Sequence, residues 1–207
     1  GLTLRGESEQ SVWLYPNSTS RPDRLITVSP DMSSANGLHR GNMIISDLSF
    51  TNTIFNTYNL TSAIYINIAI QIVCLLTIER CFFYYTDAVH TSYRGDPNWT
   101  FQHSTFRDLE VVNATSHAFD ILDSIDLTLD NIWIYFPYER FTNGTMGLYL
   151  YSRISSGITI QNFRCFYADF GIYLNSSDDA RLNNCICDWN GISYEIYNSS
   201  RCAFTNC

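Results

Sequence analysis

Phrases that alternate apolar and polar residues recur along this chain, and each predicts a β-strand with one buried face. The clearest copies are Ile158-Thr159-Ile160-Gln161-Asn162, Ala180-Arg181-Leu182-Asn183-Asn184 and Cys202-Ala203-Phe204-Thr205-Asn206, whose Asn residues fall 22 positions apart (162, 184, 206). Earlier copies close on Gly6, Asp47, Arg80, Asp108 and Asn131. Aligned, they give an inward ladder of Leu4, Ile45, Ile78, Phe106, Leu129, Ile160, Leu182 and Phe204. The outward ladder beside it reads Thr3, Ile44, Thr77, Thr105, Thr128, Thr159, Arg181 and Ala203, and β-branched Thr suits a solvated sheet face. Asn and Asp at the closing position fit a turn, because both tolerate left-handed backbone and bond nearby backbone through the side chain.

A second phrase, a small residue and then apolar-x-apolar, follows the turns. It reads Ala63-Ile64-Tyr65-Ile66, Ala118-Phe119-Asp120-Ile121, Gly147-Leu148-Tyr149-Leu150, Gly171-Ile172-Tyr173-Leu174 and Gly191-Ile192-Ser193-Tyr194, with Ala88-Val89-His90 as a weaker copy. Two strand phrases in fixed order, once every 22 to about 33 residues, describe coils of a solenoid whose equivalent strands stack as parallel sheets. The expected fold is therefore all-β, a parallel β-helix of about seven to eight coils with uneven loops, such as Pro137 to Met146. The outward row of the second phrase is expected to read Tyr65, His90, Asp120, Tyr149, Tyr173 and Ser193.

Composition narrows the class. With 45% hydrophobic and 15% charged residues, the chain is globular and long enough for one domain with a real core. Its net charge of −8 repels phosphate backbones, so no nucleic-acid partner is expected. All 12 basic residues are Arg. Seven Asn-x-Ser/Thr sequons, at Asn17, Asn59, Asn98, Asn113, Asn143, Asn175 and Asn198, predict N-glycans and an extracellular or cell-surface location. Seven cysteines fit an oxidising compartment. Register sets Cys165 against Cys187 and Cys185 against Cys207 one coil apart, about 4.8 Å, inside the Cα window for disulfides. Cys74 and Cys81 flank one strand phrase and are a third candidate pair. The uncharged stretch Ser62 to Ile78 contains Asn67 and Gln71 and is rich in Ile, which reads as strand rather than membrane span.

Leu2-Thr3-Leu4-Arg5-Gly6-Glu7 with Ser11-Val12-Trp13-Leu14, then Leu25-Ile26-Thr27-Val28 and Met43-Ile44-Ile45-Ser46-Asp47-Leu48-Ser49-Phe50, resemble the opening coils of the pectin-lyase-like superfamily of right-handed parallel β-helices. Asn162 followed by Gly171-Ile172 is similar to its generic coil. The resemblance spans nearly the whole chain and implies the fold rather than an activity, since the superfamily holds lyases, hydrolases, epimerases, tailspikes, adhesins and structural proteins. It also implies where a polysaccharide groove runs in the cleaving members: along the outward face of one sheet, here the row from Tyr65 to Ser193.

A hydrolase needs two carboxylates across the scissile bond, and Asp120 with Asp123 is the best pair available. The Asn-Thr-Asp, paired-Asp and Gly-His-Gly segments of polygalacturonases are absent. Asp178-Asp179 precedes a coil and shapes a turn. A lyase wants clustered carboxylates for calcium and a basic residue, and no such cluster stands out. Tyr65, Tyr149 and Tyr173 read either as a self-pairing ladder or as a carbohydrate-stacking platform. His39, His90, His103 and His117 lack metal-ligand spacing, and Cys185-x-Cys187 lacks a second pair, so neither a metal nor another cofactor is expected. Arg94-Gly95-Asp96 before Pro97 reads as an ordinary turn.

These features favour a non-catalytic structural subunit of an extracellular filament, appendage or fibre. Residues 1–207 would form one β-helix domain of a longer chain or stack, since the last phrase opens a new coil. Its partners would be copies of itself or further coils, with covalent N-glycans. The alternative is a polysaccharide-active enzyme, lyase or hydrolase, or a carbohydrate-binding tailspike or adhesin.

Overall fold

Each alternating phrase becomes a strand whose partners are the same phrase one coil earlier and one coil later. The computed structural model describes residues 2–6, 13–14, 24–28, 39–51, 62–68, 72–93, 101–137, 144–151 and 157–207. Every strand pairing among them is parallel, and no helix occurs among them. Sheet A runs in space as Leu2–Arg5, His39–Ser46, Ile72–Tyr84, Thr105–Val112, Thr128–Tyr135, Thr159–Phe166, Arg181–Asn183 and Ala203–Thr205. Sheet B runs as Arg24–Val28, Ser62–Ile68, Val89–Tyr93, His117–Leu122, Met146–Tyr151, Phe170–Asn175 and Ile192–Tyr197. Neighbours in space follow one another in chain order, which is the topology of a β-solenoid.

Both expected ladders of the first phrase form position for position, from Leu4↔Ile45 through Phe106↔Leu129 to Leu182↔Phe204. Ile45, Ile78, Phe106, Leu129, Ile160 and Leu182 are at most 1% exposed. Each such side chain contributes about 1.5–3 kcal/mol relative to leaving it in water. Leu4 and Phe204 have one ladder neighbour each and are 41% and 44% exposed. Phe50 and Phe83 stack at 4.9 Å inside the coils.

The closing residues Asp47, Arg80, Asp108, Asn131, Asn162, Asn184 and Asn206 all have φ between 50° and 57°, the left-handed turn the Asn pattern predicts. A second corner lies five residues on, at Tyr85, Asn113, Tyr167 and Trp189, again with positive φ. Phe136 holds the equivalent place without positive φ, since the following Pro137 favours extended backbone before it.

The small residue that opens the second phrase faces the interior. At Gly147 an added Cβ would lie 2.4 Å from Cys165 Sγ, and at Gly171 2.7 Å from Cys187 Cβ. Glycine there makes room for cysteine on the opposite wall. Those cysteines stack in the expected register, Cys165↔Cys187, yet the disulfides do not form. Cys81, Cys165, Cys185, Cys187, Cys202 and Cys207 are all free thiols, which corrects the expected Cys165–Cys187 and Cys185–Cys207 bridges. Register sets the Cα spacing alone, and a bridge also needs the two Cβ vectors to converge. Instead Cys185 and Cys207 donate to the carbonyls of Ile160 and Leu182, both at 3.6 Å. Cys81 donates to Glu79 O at 3.3 Å, and the Cys74 side chain lies outside the described residues. Burial pushes the Cys165 thiol well up and the Cys187 thiol to about 12, so both stay protonated and unreactive.

Ser62–Ile68 and Ile72–Tyr84 are strands of different sheets. Among the described residues, no helix is long and apolar enough to cross a membrane.

Candidate functional site

The outward row of sheet B reads Tyr65, His90, Asp120, Tyr149, Tyr173 and Glu195. Its last member corrects the expected Ser193. From Asn162 onward each coil advances by 22 residues without insertion, so Tyr173 pairs with Glu195 and Ile172 with Tyr194. Matching Gly191 to Gly171 slips this register by two residues. That keeps the same face outward, which is why alternation alone gives no warning of the slip.

His90 Nδ1 lies 2.9 Å from Asp120 Oδ2 at the centre of the row. The rings on either side stack down the solenoid axis: Tyr65 on His90 at 5.7 Å and 13°, and Tyr149 on Tyr173 at 5.3 Å and 26°. His117 and Phe170 meet these tyrosines edge-on, His117 at Tyr149 (5.9 Å) and Phe170 at Tyr173 (5.9 Å). Ring faces are thus turned to one another and ring edges outward. A pyranose stacks on an aromatic face, so the geometry is that of the ladder rather than the platform. Burial, and then the Asp120 charge, push the Tyr149 phenol up, which keeps it a proton donor. Asp120 Oδ1 is enclosed and has no hydrogen-bond partner.

The proposed carboxylate pair does not assemble on this face. Asp123 sits at a corner with φ 47° and is 1% exposed, its N–H given to Tyr151 O at 2.8 Å. The next carboxylate of the row is Glu195, three coils from Asp120, or roughly 14 Å at the inter-strand spacing. Glycosidases hold their two carboxyls within about 5–9.5 Å. Asp178 and Asp179 do shape a turn: Asp178 accepts from Ser200 N and Oγ, both at 2.7 Å, and Asp179 from Arg201 Nε at 2.6 Å. His103 Nδ1 lies 3.1 Å from Asp126 Oδ2 at another corner. Among the described residues, no three His, Cys, Asp or Glu side chains converge as metal ligands.

Of the sequons, Asn198 is exposed and Asn113 and Asn175 are half-buried. Asn17, Asn59, Asn98 and Asn143 lie outside the described residues, as does Arg94-Gly95-Asp96. His90 and Asp120 were both legible as row members, but their pairing follows only from the His90↔Asp120 register.

No family model matches this sequence, and neither a curated protein nor a solved structure matches it.

Proposed function

We propose that the chain is a right-handed parallel β-helix of the pectin-lyase-like type, with about seven to eight coils. In this reading it serves as a non-catalytic structural subunit of an extracellular, N-glycosylated filament, fibre or cell-surface appendage. The observation that carries the reading is the outward row of sheet B. Its rings pack on one another along the stack and leave no paired carboxylates, which is how a sheet face is stabilised rather than how a glycosidic bond is attacked. Coil-on-coil contact is the repeating unit of such a stack, and the same contact made between chains extends a fibre. Glycans on Asn143, Asn175 and Asn198 would keep its flanks soluble. Electron micrographs of the natural, full-length protein test this directly. Fibres, with a mass loss after glycosidase treatment, are expected; dispersed particles with no mass loss would overturn it.

A second reading is favoured by the unpartnered Asp120 Oδ1 beside His90: a polysaccharide site in which Asp120 and His90 move a proton and Tyr149 donates one. Incubation with acidic polysaccharides distinguishes the two. The structural reading expects no new unsaturated or reducing ends. Cleavage that disappears in Asp120→Asn and His90→Gln would establish the second.

A further inference from the structure

Sheet A carries a second exposed row that neither reading uses. After each Asn-type corner the second and fourth residues point outward. Through five consecutive coils the second positions are Phe82, Glu110, Trp133, Arg164 and Ile186. The fourth positions are Tyr84, Val112, Tyr135, Phe166 and Asp188. Trp133, Tyr135 and Ile186 are 45%, 48% and 42% exposed, and Trp189 at the next corner is 64% exposed. Together they open apolar surface on the order of 500 Å², at the upper end of what monomeric proteins leave uncovered. A depression of about 310 Å³, lined by Glu110, Val112, Trp133, Tyr135 and Phe166, lies at its centre. Arg164 covers one face of Trp133 at 4.3 Å, so the charges and rings of this face form one surface.

We propose that this face docks a second copy of the chain, antiparallel, about a two-fold axis running along residues 132–135, the strand segment after the Asn131 corner. Charge complementarity selects that partner and that orientation. Rotation about this axis reverses coil order and keeps each column on itself. Glu110 then meets Arg164 of the second copy, Val112 meets Phe166, Tyr84 offers its hydroxyl to Asp188, Phe82 meets Ile186, and Trp133 meets its own copy. The contact is isologous, so each charged pair occurs twice. With the axis along the stack instead, Glu110 would face Val112, Arg164 would face Phe166 and Asp188 would face Ile186. Three charges would then be buried against apolar groups, at a cost that nothing in that arrangement offsets. Asn113, whose N–H bonds Tyr135 O at 2.7 Å, borders the face, so the interface requires Asn113 to be unglycosylated.

The interface is lateral and forms whether or not coils stack end to end, so it stands or falls apart from the fibre reading. Sedimentation velocity on the full chain at micromolar concentrations tests it. The wild type is expected to dimerise. Glu110→Arg and Arg164→Glu are each expected to weaken the dimer roughly tenfold or more by opposing like charges, and the double charge swap to restore it. Unchanged circular dichroism confirms that the variants fold. A monomeric wild type at about 100 µM, a double swap no tighter than the single variants, or full glycan occupancy at Asn113 in the dimer would each overturn the proposal.

Discussion

At the Asp47 and Arg80 corners the left-handed residues are ions. Asp47 accepts from Arg5 Nε at 3.0 Å and from Arg80 Nε and Nη2 at 2.7 and 2.9 Å. Arg80 also reaches Glu79 at 2.7 Å, and Glu79 receives Arg107 Nε at 2.8 Å. At the Asn162 and Asn184 corners the same backbone turn is held by amides: Asn184 Nδ2 donates to Asn162 Oδ1 at 2.8 Å, and Asn162 Nδ2 to Asp130 Oδ1 at 2.9 Å. The carboxylates of the first region are nearly enclosed, 12% and 11% exposed, whereas Asn162 and Asn184 are open to solvent. Arg tolerates positive φ poorly, a strain of order 1–3 kcal/mol, and its two ion pairs offset it. The backbone conformation is thus the fixed requirement of the fold, and the side-chain chemistry that meets it is interchangeable. What changes with the chemistry is how each corner answers to pH and salt.

Asp47→Ala should break the comparison most sharply. It strips Arg5 and Arg80 of their shared partner and should cost about 2–3 kcal/mol in denaturant unfolding. Acid is the next lever. The Arg80 hydrogen bonds hold the Asp47 carboxyl well below the usual carboxylate range. Glu79 is raised by burial but lowered further by Arg107 and Arg80, with a net fall. Stability from a depressed carboxylate is complete above its unfolded pKa, near 4, and drains away as pH falls through the folded value. Amide exchange should therefore open at Asp47 and Arg80 below about pH 4, while Asn184, whose side-chain bond to Asn162 joins two neutral amides, stays protected. Equal loss at both corners would show that the ions do not hold the first. Asn162→Ala, which deletes one amide–amide and one amide–carboxylate hydrogen bond at a positive-φ site, should cost about 1–2 kcal/mol, with less dependence on salt than the ion pairs. Asn184→Gly should have the smallest effect, within about 1 kcal/mol, because glycine relieves the turn while the bond to Asn162 is lost. Thermal melts at low and high salt separate these two from the ionic corner.

The ladders were legible because two signals coincide in the first phrase: strand alternation, and a turn residue that marks the register. From Leu4 to Phe204 no position of that alignment moves. Sheet B lacks a marker of that kind, so Gly191 points to a register two residues off and hides Glu195 as the outward residue of the last strand. Asp123 misleads for a different reason. Three residues after Asp120 alternation itself predicts the opposite, inward face, and Asp123 is enclosed at the corner; nearness in sequence alone suggests the pair. Cysteine positions gave the stacking of Cys165 on Cys187 correctly and the bond wrongly, because sequence spacing says nothing about side-chain direction. The Trp133 and Tyr135 face had a signal that was available: the second and fourth residues after each turn residue. It is short, and it emerges only once the turn is fixed as a reference point.

The uninterrupted 22-residue advance from Asn162 through Asn184 to Asn206 makes one coil a unit of exchange in the gene. Excising residues 163–184 would join Asn162 to Cys185 with every later residue still on its own face and its own corner. Cys185 would then take the place of Phe163 over Ile132, and Cys187 that of Cys165 over Ile134. The cost would be a smaller interior side chain where Cys185 replaces Phe163, and a larger one where Tyr194 replaces Ile172 over Leu148, rather than a lost register. Duplicating the same segment would lengthen the stack by a turn at comparable expense. Removing a single residue from that segment would send a whole strand's apolar side chains to the outside. Length in this region can therefore change by recombination in steps of a full coil, while point insertions and deletions are excluded from it and confined to the loops.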